Sequence, residues 1–210
     1  MAEISREQLQ KVLAERHGED FRQKLHDSSA AVAGLGGLGS NIAVMLARAG
    51  IGRLLLVDFD RVELSNINRQ QYFLEHIGMY KTDALCSLIR RINPYMEIQT
   101  VCARITADNA PELFDGERYI AEALDRAEEK AMLINTVLDK LPQAVVVSAS
   151  GMAGYGDAGL IRTQRRMSRL YVCGDGRSSI EGGASLMAPR VAVCAGHQAN
   201  KIIQLIMEEQ

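Results

Sequence analysis

One short run of glycines constrains this chain more than any other feature. Gly34-Leu35-Gly36-Gly37-Leu38-Gly39 follows the apolar stretch Ala30-Ala31-Val32-Ala33 and leads into a helix-forming stretch from Leu38 to Ala49. A strand that turns through Gly-x-Gly-x-x-Gly into a helix is the nucleotide-binding turn of an open α/β sheet. Glycine permits the tight turn, lets backbone approach a ligand, and lets the helix pack closely on the strand. The free N–H groups at the start of the helix then face an anion. Gly50 and Gly52 close the helix. Arg53 to Asp58 is nearly continuous in apolar residues, the mark of a strand buried on both faces. Asp58 ends that strand about twenty residues beyond the glycines, where a carboxylate accepts from a ribose diol. The structural alternative is an ordinary glycine turn with Asp58 capping a loop. The agreement of strand, turn, helix and acid favours the nucleotide.

The remaining pattern extends the same architecture. Residues 5–26 read as one or two polar helices with a rough stripe of Leu9, Val12, Leu13, Phe21 and Leu25. A loop covers 59–78, and an amphipathic helix over 79–92 stops at Asn93-Pro94. Glu97 to Val101, Tyr119 to Leu124 and Ala144 to Ala149 read as strands, with a helix over 127–140. Leu160 to Thr163 and Leu170 to Cys173 read as an antiparallel pair around an Arg-rich turn, and Pro189 to Met207 as a final helix. Strand alternating with helix predicts an α/β fold: a Rossmann-like, doubly wound, mostly parallel sheet with a small antiparallel C-terminal extension and an N-terminal helical segment. The expected division is a single nucleotide-binding domain, with a helical arm at 1–27, a core at 28–150, and a hairpin with a C-terminal helix at 151–210. The 210 residues and 47% hydrophobic content suit one such domain.

Charge and cysteine usage narrow the function. A net charge of −2 gives no electrostatic footprint for nucleic acid or for an anionic membrane. The apolar runs are far short of a membrane span, and the first residues, Met1-Ala2-Glu3-Ile4-Ser5-Arg6-Glu7, are no signal peptide. A cytoplasmic protein is therefore expected. Cys86, Cys102, Cys173 and Cys194 are widely spread and include no Cys-x-x-Cys pair, so neither a disulfide framework nor zinc is expected.

Glycine loop and acid fit NAD and ATP alike, since both carry an adenosine ribose. The following loop separates them. Phe59-Asp60-Arg61-Val62-Glu63-Leu64-Ser65-Asn66-Ile67-Asn68-Arg69-Gln70-Gln71 is rich in hydrogen-bonding side chains. Arg69 can fork onto phosphate oxygens. Lys81 stands as a point charge at the next helix start, and Asp125 closes a later strand at the edge where such sheets bind ligands. Two cations with a lone carboxylate suit a triphosphate and its Mg²⁺. Surface charges and a helix N-cap at Asp125 are the structural alternatives.

These segments together resemble the ThiF/MoeB family, adenylyltransferases related to ubiquitin-activating enzymes. The resemblance runs from Ala33-Gly34-Leu35-Gly36-Gly37-Leu38-Gly39-Ser40 through Leu56-Val57-Asp58-Phe59-Asp60 and Ser65-Asn66-Ile67-Asn68-Arg69-Gln70. It continues through Gly78-Met79-Tyr80-Lys81 and Ile92-Asn93-Pro94 to Ala123-Leu124-Asp125. It implies that Gly34, Gly36, Gly37, Gly39, Asp58 and Asp60 line the nucleotide, with Asp58 on the ribose. Asn66, Arg69 and Gln70 would surround the phosphates, Lys81 would hold phosphate charge, and Asp125 would bind Mg²⁺. Arg69, Lys81, Asp125 and Asn66 would carry the catalysis. It implies ATP as co-substrate and, as partner, a ubiquitin-like sulfur carrier ending in Gly-Gly. It also implies a homodimer in which an N-terminal arginine, here Arg16, reaches the neighbouring subunit's ATP. The absent zinc pairs, together with Tyr171-Val172-Cys173-Gly174-Asp175-Gly176 and Met187-Ala188-Pro189-Arg190, look most like a compact thiamine-pathway branch acting on the carrier ThiS. The same chemistry on a molybdopterin carrier or a tRNA-bound carboxylate, or a scaffold without turnover, are the alternatives.

Cys173, placed before Gly174-Asp175-Gly176, is a candidate thiol nucleophile for the activated carrier. A small packing residue is the competing reading. Arg162, Arg165, Arg166 and Arg169 are expected on a solvated turn.

Overall fold

A computed structural model describes residues 4–180 and 184–209. Residues 1–3 of the expected arm, and 181–183 and 210 of the expected C-terminal part, lie outside the described residues. The strands are β1 (Ser29–Ala33), β2 (Arg53–Val57), β3 (Glu97–Val101), β4 (Tyr119–Glu122), β5 (Val145–Ala149), β6 (Arg162–Met167) and β7 (Leu170–Gly174). The helices are α1 (Arg6–His17), α2 (Glu19–His26), α3 (Gly37–Ala49), α4 (Lys81–Ile92), α5 (Ala110–Leu113), α6 (Ala127–Lys140) and α7 (Ala188–Glu208).

The seven strands form one sheet in the order β3-β2-β1-β4-β5-β7-β6. All neighbours are parallel except β6 against β7. The chain therefore winds outward from β1 in both directions, as a doubly wound sheet does. Why the inner strands are apolar on every residue is visible in their packing. Ala30, Val32, Leu54 and Leu56 face the layer of α3, α4 and α7. Ala31, Ala33, Leu55 and Val57 face the layer of α5 and α6. Successive side chains point to opposite faces, so a strand covered on both sides needs apolar residues throughout. None of the described helices is long and apolar enough to cross a membrane.

The C-terminal strands form the expected antiparallel pair, and that pair extends the main sheet. β7 pairs parallel with β5, Val146 opposite Leu170 to Ala149 opposite Cys173. Only β6 is antiparallel, at the free edge. The Arg-rich segment is itself that edge strand, with Arg162, Arg165 and Arg166 exposed. Charge on an edge strand is a recognised guard against pairing with other chains. Arg169 has a different fate from the solvated turn expected of it. Its guanidinium donates to the carbonyls of Leu138 (2.5 Å), Leu141 (2.9 Å) and Ala144 (2.8 Å), closing the C-terminal end of α6.

The N-terminal region divides into two helices at Gly18, whose φ of 89° suits glycine. Ser5 and Gln8 form a capping box on α1. The apolar stripe does not make α1 a core helix: none of its residues is buried, and Leu25 in α2 is the point that enters the core. Ile4 accepts from the Tyr95 hydroxyl at 2.7 Å, and Arg6 meets His26 at 3.1 Å. These contacts set α1 at the amino edge of the sheet, where β1 and β2 begin.

Arg169→Ala should lower unfolding free energy by about 1–3 kcal/mol, because it removes three hydrogen bonds from a charged group to carbonyls at and beyond the end of α6. Urea titration followed by circular dichroism reads the change, and a shift within error would contradict the capping role.

Candidate nucleotide site

At the carboxyl edge of the central strands, the glycine loop and the end of β2 are joined by one carboxylate. Asp58 Oδ2 accepts from the Leu35 N–H at 2.6 Å, inside the glycine loop. Its Oδ1 accepts from the Asp60 N–H at 2.8 Å. A carboxylate has about four acceptor positions, so lone pairs remain for a diol. Lys81 Nζ lies 2.9 Å from Asp60 Oδ2 and 3.8 Å from Asp58 Oδ2, in a side chain only 8% exposed. The ammonium is thus held by two carboxylates rather than left as a free point charge.

The glycines divide into two roles. Gly34 has φ +89°, and a Cβ there would stand 2.8 Å from the Ala123 carbonyl oxygen. A Cβ on Gly39 would fall 1.8 Å from the Gly34 carbonyl oxygen. Those two allow helix α3 to sit against its own strand. Gly36 and Gly37 are different. A Cβ on Gly36 would meet only Gln70 Nε2, at 3.8 Å, and one on Gly37 would face the Arg69 stem at 3.6 Å and Val191 at 3.2 Å. Their bare backbone, at the uncapped start of α3, is the surface offered to a ligand.

Arg69 and Gln70 flank this surface and are incompletely satisfied. Arg69 Nη1 donates to the Ser65 carbonyl (3.0 Å) and Asn68 Oδ1 (2.8 Å), while its Nε, though buried, has no partner. Gln70 Oε1 is likewise buried and unpaired. An orphaned donor and an orphaned acceptor beside a half-buried glycine backbone fit a phosphate with its attached sugar, since buried polar groups are otherwise paired. Asn66 holds the turn that places them: its Oδ1 accepts from Glu63 N–H, and its carbonyl accepts from the N–H groups of Arg69 and Gln70.

Several supporting residues escaped the sequence reading. Asn41 donates to the Gly37 (2.6 Å) and Arg69 (3.3 Å) carbonyls, and Gln71 donates to Asn41 at 2.6 Å. The Tyr72 hydroxyl donates to the Leu35 carbonyl at 2.8 Å. Burial, reinforced by the nearby Asp58 charge, pushes that phenol above its ordinary range, so it stays a donor. Ser40 and Asn41 were detectable as polar residues inside an otherwise apolar helix.

Asp125 stands three residues beyond the end of β4, exposed, with no hydrogen bond or ion pair to any described residue. It does not cap α6, whose N-cap position is Arg126 with no side-chain cap bond. A free carboxylate oxygen is the donor that Mg²⁺ takes alongside phosphate oxygens. The described residues hold no cluster of three His, Cys, Asp or Glu groups that would cage a metal unaided. The segment before Asp125 lies against Gly34: its Ala123 N–H donates to the carbonyl of Ala33, just before the glycine loop, at 2.9 Å.

Two expected site residues lie elsewhere. Arg16 is exposed near the end of α1, at the opposite edge of the sheet, so it is not brought to the glycine loop within this chain. A cleft of about 480 Å³ opens on that same amino edge, lined by Arg6, His26, Ser29, Arg53 and Glu97, and it has none of the glycine-loop features. Cys173 is not at an exposed loop but fully buried in β7, its thiol 3.4 Å from the Thr163 hydroxyl. Burial raises its pKa, which disfavours the thiolate a nucleophile needs. Its neighbour Cys194 is pushed up to about 12, again by burial first.

The start of α7 is held over Gly37 by a buried pair. Arg190 Nη2 meets Asp175 Oδ2 at 2.6 Å, and Arg190 Nη1 donates to the Asp157 carbonyl at 2.8 Å. Burial alone would raise the Asp175 carboxyl. The Ser178 and Arg177 N–H groups and the Arg190 charge outweigh it and hold the carboxyl below its ordinary 3.8.

The family model described as "ThiF family" matches residues 8–210. The tRNA threonylcarbamoyladenosine dehydratase of Escherichia coli (strain K12) is 36% identical over 141 residues, 66% of this chain and 53% of that protein. Rice ubiquitin-like modifier-activating enzyme 5 is 37% identical over 129 residues, 61% of this chain and 30% of its own length. The Aedes aegypti adenylyltransferase and sulfurtransferase MOCS3 is 36% identical over 152 residues, 71% of this chain and 34% of its own length. The chain thus spans between about a third and a half of these relatives. Among solved structures, the E. coli tRNA N6-threonylcarbamoyladenosine dehydratase in complex with ATP superposes with a TM-score of 0.87 at 24% identity, covering 98% of this chain and 97% of that one. The two share a fold.

Arg69→Ala should weaken ATP binding roughly tenfold or more while shifting the urea midpoint little, since charged hydrogen bonds are worth about 1.5–3 kcal/mol. Calorimetric titration checks it, and unchanged affinity would remove Arg69 from the site. Because its folded pKa is depressed, Asp175 stabilises the fold above pH 3.8 and loses that contribution as pH falls through its lower folded value. The stability gap between the parent chain and Asp175→Asn should therefore be full at neutral pH and close on acidification.

Proposed function

The chain belongs to the ThiF family, and from that premise we propose that it is an ATP-dependent adenylyltransferase that activates a carboxylate. The observation that carries the reading is the pair of unsatisfied buried atoms, Arg69 Nε and Gln70 Oε1, beside the bare backbone of Gly36 and Gly37. The acceptor carboxylate oxygen attacks the α-phosphorus of ATP, the bond from that phosphorus to the bridging oxygen breaks, and pyrophosphate leaves. An acyl-adenylate remains. The carboxylate is already ionised near neutral pH, so no general base is required. The difficulty is charge, an anion approaching a polyanion.

In this reading Asp58 takes the ribose hydroxyls, and the N–H groups of Gly36 and Gly37 and the α3 terminus meet phosphate oxygens. Arg69 spreads positive charge along them. Lys81, held between Asp58 and Asp60, adds to the phosphate charge balance, and Gln70 and Asn66 fix the loop. Asp125 would hold Mg²⁺, which when bound neutralises charge on the triphosphate. Arg16, remote from its own glycine loop, would serve a neighbouring subunit's nucleotide in the homodimer of the proposal.

We take the acceptor to be the Gly-Gly terminus of a ubiquitin-like sulfur carrier, ThiS-like in kind. Large apolar side chains stand exposed on loops of the carboxyl edge: Phe73, Leu74 and Ile77 after β2, Tyr155 and Leu160 after β5. Such exposure around a site suits a protein partner. A second reading, a carboxylate carried on tRNA, draws on the exposed Arg162, Arg165 and Arg166 of β6.

With a Gly-Gly carrier and ATP, intact mass should show one added AMP, and ATP–pyrophosphate exchange should depend on the carrier. Exchange driven by tRNA alone would transfer the assignment to the second reading, and none with either would remove the activity. Asp125→Ala should cut Mg²⁺-dependent exchange by about a hundredfold or more, a few kcal/mol of lost stabilisation, in a chain that still folds.

A further inference from the structure

Glu122 ends β4 and is fully buried, an expensive position for a carboxyl group. Its bonds are specific. Lys130 Nζ, on the second turn of α6, lies 2.9 Å from Glu122 Oε2. The Ser148 hydroxyl of β5 donates to the same oxygen at 2.6 Å, and the Leu124 N–H donates to Oε1 at 2.8 Å. Lys130 Nζ also donates to the Leu124 carbonyl at 2.9 Å. Leu124 thus has both backbone groups bound by one ion pair, and the next residue is Asp125. From α7, Gln198 Nε2 donates to the carbonyls of Glu122 and Val147, fixing β4 against β5 just below.

A buried ion pair is a poor way to gain stability, since apolar residues of similar size often do as well or better. What this pair supplies is direction. Every contact of the Glu122 carboxylate, apart from Ser148, bears on residues 124 or 130, and residue 124 carries the free carboxylate of Asp125 behind it. On the far side the segment is fixed to the end of β1 by the Ala123 N–H bond to Ala33, beside Gly34 of the glycine loop. We propose that Glu122, locked to Lys130, is a positioning residue that sets where the Asp125 carboxylate stands and so controls the grip on a divalent cation–nucleotide complex. The inference rests on the nucleotide reading above.

The test uses the full chain, with Mn²⁺ as the probe ion. Mn²⁺ affinity is read by electron paramagnetic resonance at saturating non-hydrolysable ATP analogue, nucleotide affinity is read separately without metal, and amide exchange is read at Leu124. Glu122→Gln should weaken Mn²⁺ binding about tenfold or more, speed exchange at Leu124, and leave metal-free nucleotide affinity within about twofold. Lys130→Arg, which keeps the charge, should retain Mn²⁺ affinity. If Glu122→Gln fails to fold, Lys130→Met carries the same expectation through the Leu124 carbonyl. Unchanged Mn²⁺ affinity in a folded variant overturns the inference, and so does an equal loss of metal-free nucleotide binding, which would mark general damage. A parent chain that binds the nucleotide analogue neither with nor without Mn²⁺ overturns the nucleotide reading and this inference together. A parent that binds, with a variant that binds equally, overturns this inference alone.

Discussion

The bond from the Leu35 N–H to the Asp58 carboxylate is the constraint on which the site depends. It joins two successive strand–helix units at their carboxyl edge, one contributing a glycine turn and the other an acid. A glycine turn left to itself has wide conformational freedom. Here one oxygen of Asp58 fixes its backbone and the other fixes Asp60, whose carboxylate in turn holds Lys81 at the start of α4. Tyr72 closes the same arrangement by donating to the Leu35 carbonyl. The loop is therefore shaped before a nucleotide arrives, and the ordering cost falls on folding instead of on binding.

The electrostatics of this edge are less simple than an array of cations. Lys81 is paired with two carboxylates, and Arg69 spends one nitrogen on local carbonyl and amide oxygens. What remains free is specific: Arg69 Nε, the N–H groups around Gly36 and Gly37, and the Asp125 carboxylate. A site so arranged does not attract anions indiscriminately. In the proposed function it would favour a ligand that brings a ribose for Asp58, phosphates for Arg69 and the α3 terminus, and a cation for Asp125 at one time.

The sequence revealed the interior of the fold more readily than its margins, for a physical reason. β1 and β2 are short apolar runs because both faces are covered, and the glycines between β1 and α3 have close approaches that only glycine permits. Such local constraints are visible in local sequence. The placement of β7 beside β5 is a long-range pairing with no local mark, so local sequence showed the antiparallel pair but not where it joins the main sheet. Arg169 and Cys173 failed similarly. Their roles depend on which carbonyls or apolar walls lie across the sheet, and an arginine at a turn or a cysteine before glycine looks the same in either setting. Arg16 is expected to act on a neighbouring subunit, and α1 at the amino edge does not bring it to its own glycine loop.

The two faces beyond the nucleotide pull toward different acceptors, and their placement bears on which is served. Phe73, Leu74 and Ile77 sit on the loop that also carries Arg69 and Gln70, so a partner covering them would bring its own terminus directly to the phosphates. Arg162, Arg165 and Arg166 lie on β6, the outermost strand, separated from β1 by β4, β5 and β7. A partner engaged there alone must span those strands, spaced about 4.8 Å apart, to reach the glycine loop. A compact domain with an extended tail meets the first geometry easily. A long, stiff polyanion can meet the second, but it would leave the apolar rim uncovered. On the proposed adenylyltransferase, the apolar side chains on the loop of Arg69 and Gln70 therefore favour a folded carrier whose terminus extends past them.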